Sequence, residues 1–135
     1  KRYISSAKTY FIDNGIITSI TPDCSSGQLF ENLVISEVEK RRRIGQIDAD
    51  ELFYHESVGG REIDLIVEER KQITVIEVKS SKSVSGRDLR NIREFEIDKG
   101  KRKLRRWIVY QGSEHYMEDG ISIIPFNRFF RGSWN

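Results

Sequence analysis

Between Arg61 and Ser81 lie two apolar runs of β type, Ile63–Val67 and Ile73–Val78, separated by the polar stretch Glu68-Glu69-Arg70-Lys71-Gln72. That pattern is an antiparallel hairpin. Successive side chains of a strand point to opposite faces. Ile63, Leu65 and Val67 are therefore expected on one face, with Asp64 and Ile66 on the other. On the second strand, Ile73, Val75, Glu77 and Lys79 share a face, and Thr74, Ile76 and Val78 share the opposite one. Both faces carry apolar residues, which places the hairpin inside a sheet covered on both sides. Asp64, Glu77 and Lys79 interrupt the apolar pattern. Charges in such a strand are costly unless they are paired or bind a metal.

The remainder of the chain supplies the cover. Gln28–Arg43 has Phe30, Leu33, Val34 and Val38 at helical spacing, and Ser25 with Gln28 has the form of a capping box. Glu31 falls at the border of that apolar stripe. It reads either as a site carboxylate or as a first-turn acid stabilised by the helix dipole. Before the helix, Lys8–Ile12 reads as a short strand closed by Asp13-Asn14-Gly15, and residues 21–27 read as a loop. Glu51–Glu56 is a further strand, turned into the hairpin at Gly59-Gly60. Ser85-Gly86-Arg87-Asp88 opens a second helix with Leu89, Ile92 and Phe95 inward. Strands at Trp107–Tyr110 and Gly120–Phe126 follow, and Phe129, Phe130 and Trp134 are expected to dock either on the core or on a missing part of the protein. The order is strand, helix, three antiparallel strands, helix, strand, strand: one α/β domain over residues 1–135, with a mixed sheet flanked by helices.

The net charge of +2 hides an asymmetry. Lys40, Arg41, Arg42 and Arg43 form one basic run, and Lys99, Lys101, Arg102, Lys103, Arg105 and Arg106 a second. Removing these ten leaves 13 basic against 21 acidic residues, or −8. Concentrated cations suit the backbone of a nucleic acid; two solvated element ends are the plain alternative for either run. Trp107 and Tyr110 beside the second run fit core packing better than base stacking. No run reaches the roughly 18 apolar residues of a membrane span, and the single cysteine, Cys24, fits a reducing, cytoplasmic setting. Cys24 has no adjacent base. His55 and His115 lack metal-ligand spacing and read as packing or surface residues. The chain opens on Lys1, so a piece of a longer protein is expected.

By strand parity Asp64, Glu77 and Lys79 share a face. Two carboxylates and the Val78 carbonyl between Glu77 and Lys79 offer hard oxygen ligands for Mg²⁺ or Mn²⁺, and Glu31 adds a third carboxylate if its helix packs across that face. Three carboxylates and a lysine leave −2, which one divalent cation neutralises. An ion-paired core in which Lys79 merely neutralises Glu77 is the competing reading.

Asp64 … Glu77-Val78-Lys79, preceded by a helix bearing Glu31, resembles the PD-(D/E)XK nuclease superfamily, which includes restriction endonucleases and archaeal Holliday-junction resolvases. Ile63 stands where the motif's name puts proline. The resemblance implies a restriction-endonuclease-like fold, Asp64 and Glu77 as metal ligands, Lys79 as the catalytic lysine and Glu31 as the helix carboxylate, acting on DNA. More narrowly, KTYFIDNGI, GQLFENLV and GGREIDLIVEE…ITVIEVKSS resemble the C-terminal domain of a group of bacterial and archaeal AAA-type ATPases. No phosphate-binding Gly-Lys loop occurs here, so any ATP site falls in an absent upstream module of the same polypeptide. The resemblance also admits a non-catalytic DNA-binding or protein-interaction module that regulates the ATPase. No residue specifies an oligomeric state, and a dimer is compatible with the sequence.

Overall fold

A computed structural model describes residues 4–5 and 25–135 of the chain. The expected strand at Lys8–Ile12, its turn and Cys24 lie outside the described residues. Helix α1 (Ser26–Arg43) starts where the sequence puts it: the Ser25 side chain accepts from the Gln28 backbone N–H, and the Gln28 side chain accepts from that of Ser25. This capping box satisfies two of the amide donors that open a helix. Phe30, Val34, Ile35 and Val38 are its buried stripe.

Strands β1 (Ile4–Ser5), β2 (Ala49–Val58), β3 (Arg61–Glu69) and β4 (Gln72–Lys79) pair antiparallel in succession. The turn between β2 and β3 is Gly59-Gly60, both at positive φ, a conformation glycine adopts without steric cost. The β3–β4 turn is shorter than the polar stretch suggested, since Glu68, Glu69 and Gln72 belong to the strands and only Arg70 and Lys71 turn the chain. Helix α2 (Gly86–Arg93), capped by Ser85 and Asp88, carries the chain over to β5 (Lys103–Tyr110), which runs parallel to β4. β6 (Tyr116–Glu118), β7 (Ile121–Pro125) and α3 (Phe126–Arg131) complete the chain. The result is a seven-stranded mixed sheet in the order β1-β2-β3-β4-β5-β7-β6, flanked by helices, as expected for the α/β class.

Two apolar layers sandwich the sheet. The first joins α1 to Leu65, Val67, Ile76, Val109 and the C-terminal Phe129 and Trp134; the second joins Leu89, Ile92 and Phe95, in and just after α2, to Ile66, Ile73, Val75 and Ile108. Phe129 and Trp134 thus dock on the core. Ile63 does not follow the expected alternation: it belongs to the α2 layer, opposite Leu65 and Val67. β2 shows the same reversal, with Leu52 and Tyr54 on the α1 side and Val58 on the other. Both reversals fall at one rung, where His55 faces Asp64 between the pairs Tyr54↔Leu65 and Glu56↔Ile63. His55 has φ +47°, the left-handed region, and that residue turns the strand over. Periodicity cannot foresee such a kink, because it assumes an unbroken strand.

Two further differences concern the second basic run and the strand beyond it. β5 begins at Lys103 rather than at Trp107, so Lys103, Arg105 and Arg106 are strand residues. The short β6 lies in a stretch with no apolar alternation, and its pairing with β7 holds it. No helix among the described residues is long and apolar enough to cross a membrane.

Candidate functional site

The β3–β4 ladder runs from Glu68↔Ile73 to Leu65↔Ile76. The next rung in that register would set Asp64 against Glu77, but here the strands give up regular pairing. Asp64 Oδ2 instead accepts the Val78 backbone N–H at 2.7 Å. A strand residue's N–H and C=O point to the same edge, so the Val78 carbonyl also faces the opening beside Asp64. The hairpin therefore splits at the position of its acidic residues.

Side chains converge on that split from both layers. Glu31 arrives from α1, on the side of Leu65 and Ile76; its helix does not cover the face that carries Glu77, contrary to the expectation from parity. The reversal at the rung where His55 faces Asp64 reconciles the two. Glu31, His55 and Asp64 each present one ligand atom within 4.8 Å of the others. His55 is buried, with Nε2 in close contact with Glu31 Oε1 and 3.8 Å from Asp64 Oδ1. Its Nδ1 lies 2.5 Å from Glu62 Oε1. From the α2 side, Lys79 Nζ sits 3.2 Å from Glu77 Oε1 and 3.2 Å from Asp88 Oδ1. Glu77 is 7% exposed, and its Oε2 is buried without a hydrogen-bond partner. Gly27 at the start of α1 packs on Ser80, just after Lys79, which closes the rim; a Cβ on Gly27 would stand 3.4 Å from Ser80 Oγ.

The electrostatics follow from this crowding. Burial pushes the Asp64 carboxyl up to about 6, and the Glu31 charge pushes the same way, against the Val78 N–H, His55 and Lys79. Glu77 is pushed up to about 8, first by burial and then by the charge of Asp64, with Lys79 opposing. Burial works against a charged His55, but the Glu31 and Glu62 carboxylates outweigh it and its pKa rises. Lys79 likewise loses to burial and gains more from Glu77 and Asp88. Protons are therefore held by a group of acids that repel one another. A divalent cation answers the same charge without them.

Of the residues singled out by sequence, Glu31, Asp64, Glu77 and Lys79 come together, with the Val78 backbone beside them. His55 joins them, although in the sequence it reads as an ordinary packing residue. Spacing could not find it, because Glu31 and Asp64 stand on other elements and the kink that turns His55 toward them leaves no mark in the sequence.

The two basic runs do not come to this site. Lys103 N donates to Lys71 O in the turn just before β4, and Lys79 lies seven residues beyond Gln72, roughly 20 Å at the rise of a strand. Lys40 is nine residues, about 13 Å, along α1 from Glu31. Several members are also committed inside the fold. Arg41, 5% exposed, donates to the carbonyls of Phe129, Phe130 and Gly132 and pairs with Glu37, so it cannot present its guanidinium to a phosphate. Arg42 and Arg43 pair with Glu39 on the helix surface, where Arg43 keeps 60% of its side chain exposed. Arg102 pairs with Glu68, Arg105 donates to Thr74 and the Trp134 carbonyl, and Arg106 donates to the carbonyls of Ile92 and Phe95. Lys40, Arg43, Lys99, Lys101 and Lys103 remain exposed. Trp107 packs edge-on against Phe129 and Trp134 and Tyr110 is buried, so both serve the core.

The family model described as Domain of unknown function (DUF4143) matches residues 26–129, the span that holds Glu31, His55, Asp64, Glu77, Lys79 and Asp88, and the chain belongs to that family. Comparison with curated proteins and with solved structures gives no match.

Proposed function

We propose that this chain is a metal-dependent nuclease domain of the PD-(D/E)XK type, with a restriction-endonuclease-like fold, that hydrolyses phosphodiester bonds in DNA and works beside an ATPase module of the same polypeptide. One observation carries the reading: Asp64 and Glu77, at the split end of a buried hairpin, are joined by Glu31 and Lys79 from opposite layers, and a buried Glu77 oxygen is left without a partner. A buried carboxylate oxygen with no donor is expensive in a finished core. It is ordinary where a cation belongs.

The donor set fits Mg²⁺ or Mn²⁺. Asp64, Glu77 and the Val78 carbonyl would hold the ion, with Glu31 as the further carboxylate. A bound divalent cation would make water a better nucleophile near neutral pH and stabilise charge on the phosphoryl oxygens. Lys79, held between Glu77 and Asp88, keeps an ammonium at the rim, where it can orient a water or steady a phosphate oxygen. Asp64 is fixed by the Val78 N–H, so the acid and the strand that carries Glu77 move as one body. Lys82 and Arg87, exposed in the segment that leads from Lys79 into α2, are the cations best placed to meet the DNA backbone at this end of the sheet.

The test is cleavage of plasmid and linear DNA with Mg²⁺ or Mn²⁺ by the wild type, Asp64→Ala and Lys79→Ala. Metal-dependent cutting that both substitutions abolish, with folding intact, is expected. Full activity in either variant ends this reading.

A second reading is favoured by the position of Lys99, Lys101 and Lys103, which form a cationic edge roughly 20 Å from the acidic site. In it, the domain binds DNA or a partner protein without cutting and regulates the ATPase. Salt-dependent DNA binding with no cleavage under either metal supports it.

A further inference from the structure

We propose that His55 is a nitrogen ligand of the cation held at this site, so that the site takes a divalent transition ion, Mn²⁺, in preference to Mg²⁺. The inference rests on the metal reading above and adds a donor to it.

The geometry around His55 is that of a metal-binding imidazole. Its Nε2 points between Glu31 and Asp64, two carboxylates on different elements. Its Nδ1 faces the Glu62 carboxylate at 2.5 Å. A histidine that ligates through one ring nitrogen almost always donates the other N–H to a carboxylate, carbonyl or water, and that bond fixes the tautomer and the ring plane. Glu62 fills this outer role: with Nδ1–H donated to it, the lone pair of Nε2 faces the two inner carboxylates.

The backbone supports the assignment. His55 occupies the left-handed region, an uncommon conformation for a non-glycine residue inside a strand. The outcome of that kink is to set His55 across from Asp64, at the rung where β3 also reverses its faces. A further observation stands on the neighbouring strand: Glu77, which feels the charge of Asp64 although it lies outside the converging trio of Glu31, His55 and Asp64, keeps a buried oxygen with no hydrogen-bond partner.

Donor type sets selectivity. Mg²⁺ is hard, keeps its waters and prefers oxygen throughout, whereas first-row transition ions accept imidazole as well as carboxylate. One nitrogen among carboxylates therefore raises affinity for Mn²⁺ more than for Mg²⁺. Ligation through Nε2 requires that nitrogen without its proton, so binding of the ion would release one.

The test uses the full chain with Mn²⁺ as probe. Pulsed electron paramagnetic resonance reads nitrogen coupling at the bound ion directly, and calorimetry gives the affinities of Mn²⁺ and Mg²⁺. The wild type should show imidazole nitrogen modulation. His55→Asn, which tolerates the left-handed backbone, should lose it, together with about tenfold or more in Mn²⁺ affinity, while Mg²⁺ affinity changes far less. Glu62→Gln should keep the modulation but weaken Mn²⁺ by roughly tenfold. His115→Gln, at the other histidine of the chain, exposed and just before β6, should change nothing. Bound Mn²⁺ with no nitrogen modulation, or a Mn²⁺-to-Mg²⁺ ratio unmoved by His55→Asn, overturns the inference and leaves the oxygen site standing. Failure of the wild type to bind either ion overturns it together with the metal reading.

Discussion

Replacing Glu77 by glutamine should make the metal-free protein more stable at pH 8 while destroying its response to metal. Glu77 titrates near 4.5 when free and is pushed up to about 8 in the fold, by burial first and by Asp64 second. A carboxyl whose folded pKa is raised stabilises the native state fully below pH 4.5, and that contribution is lost as pH rises through 8. At about 1.36 kcal/mol per pH unit, the full cost to the folded state is roughly 4–5 kcal/mol, of which about 3 kcal/mol builds up between about pH 5 and pH 8. Asp64, raised from 3.8 to about 6, adds loss of the same sign at the lower end of that window. His55, also raised, adds more as it deprotonates. The glutamine side chain can still accept from Lys79 and carries no charge to bury. Urea unfolding followed by tryptophan fluorescence, with chelator at pH 5 and pH 8, measures the difference. The wild type should lose about 3 kcal/mol more than Glu77→Gln across this range. Saturation with Mn²⁺ to about 100 times its dissociation constant should return roughly 2.7 kcal/mol to the wild type and much less to the variant. Equal pH dependence in the two proteins would refute the argument, because it would mean that Glu77 carries no unmet charge in the fold.

Arg41→Ala should cost about 3 kcal/mol in urea unfolding, since it leaves the carbonyls of Phe129, Phe130 and Gly132 without their donor and loosens α3. Arg105→Ala should cost about 1–2 kcal/mol and change the tryptophan emission, because its guanidinium lies 4.4 Å from the centre of the Trp107 ring and 5.0 Å from that of Trp134. Ser25→Ala removes the cap of α1 and should cost about 1 kcal/mol in the same assay. In DNA binding by fluorescence anisotropy, Lys82→Glu with Arg87→Glu should weaken the complex and lower its salt slope by up to about 0.9 for each phosphate no longer neutralised. Lys101→Glu with Lys103→Glu should leave metal-dependent cleavage intact if the cut occurs at the acidic end of the sheet.

The hairpin could be read because its period-two pattern is long and its charged exceptions are few. The antiparallel register, which follows from which residues must be buried, carries Asp64 and Glu77 to the same end of the hairpin, although regular pairing stops one rung short of them. Both capping boxes were equally legible, being local hydrogen bonds between residues three apart. The side from which Glu31 approaches was not. It depends on the kink at His55, a single backbone choice that leaves no mark on hydrophobic periodicity. The fate of the basic runs was hidden for a different reason. Arg41, Arg105 and Arg106 satisfy carbonyls of segments 11 to 91 residues away in sequence, and nothing in a local charge run tells a solvated guanidinium from one buried in this way. What reads as a polyanion surface is in good part the fastening of the C-terminal segment and of the chain after α2.

The central claim is that one cation belongs at the split between β3 and β4. The most direct measurement is the anomalous scattering of Mn²⁺ in crystals of the wild type and of Asp64→Asn. The account predicts a peak within coordination distance of Asp64 and Glu77 oxygens, absent from the variant. A peak only at the other end of the sheet, among Asp48, Asp50, Glu51, Glu68 and Glu69, or no peak at saturating Mn²⁺, would contradict it.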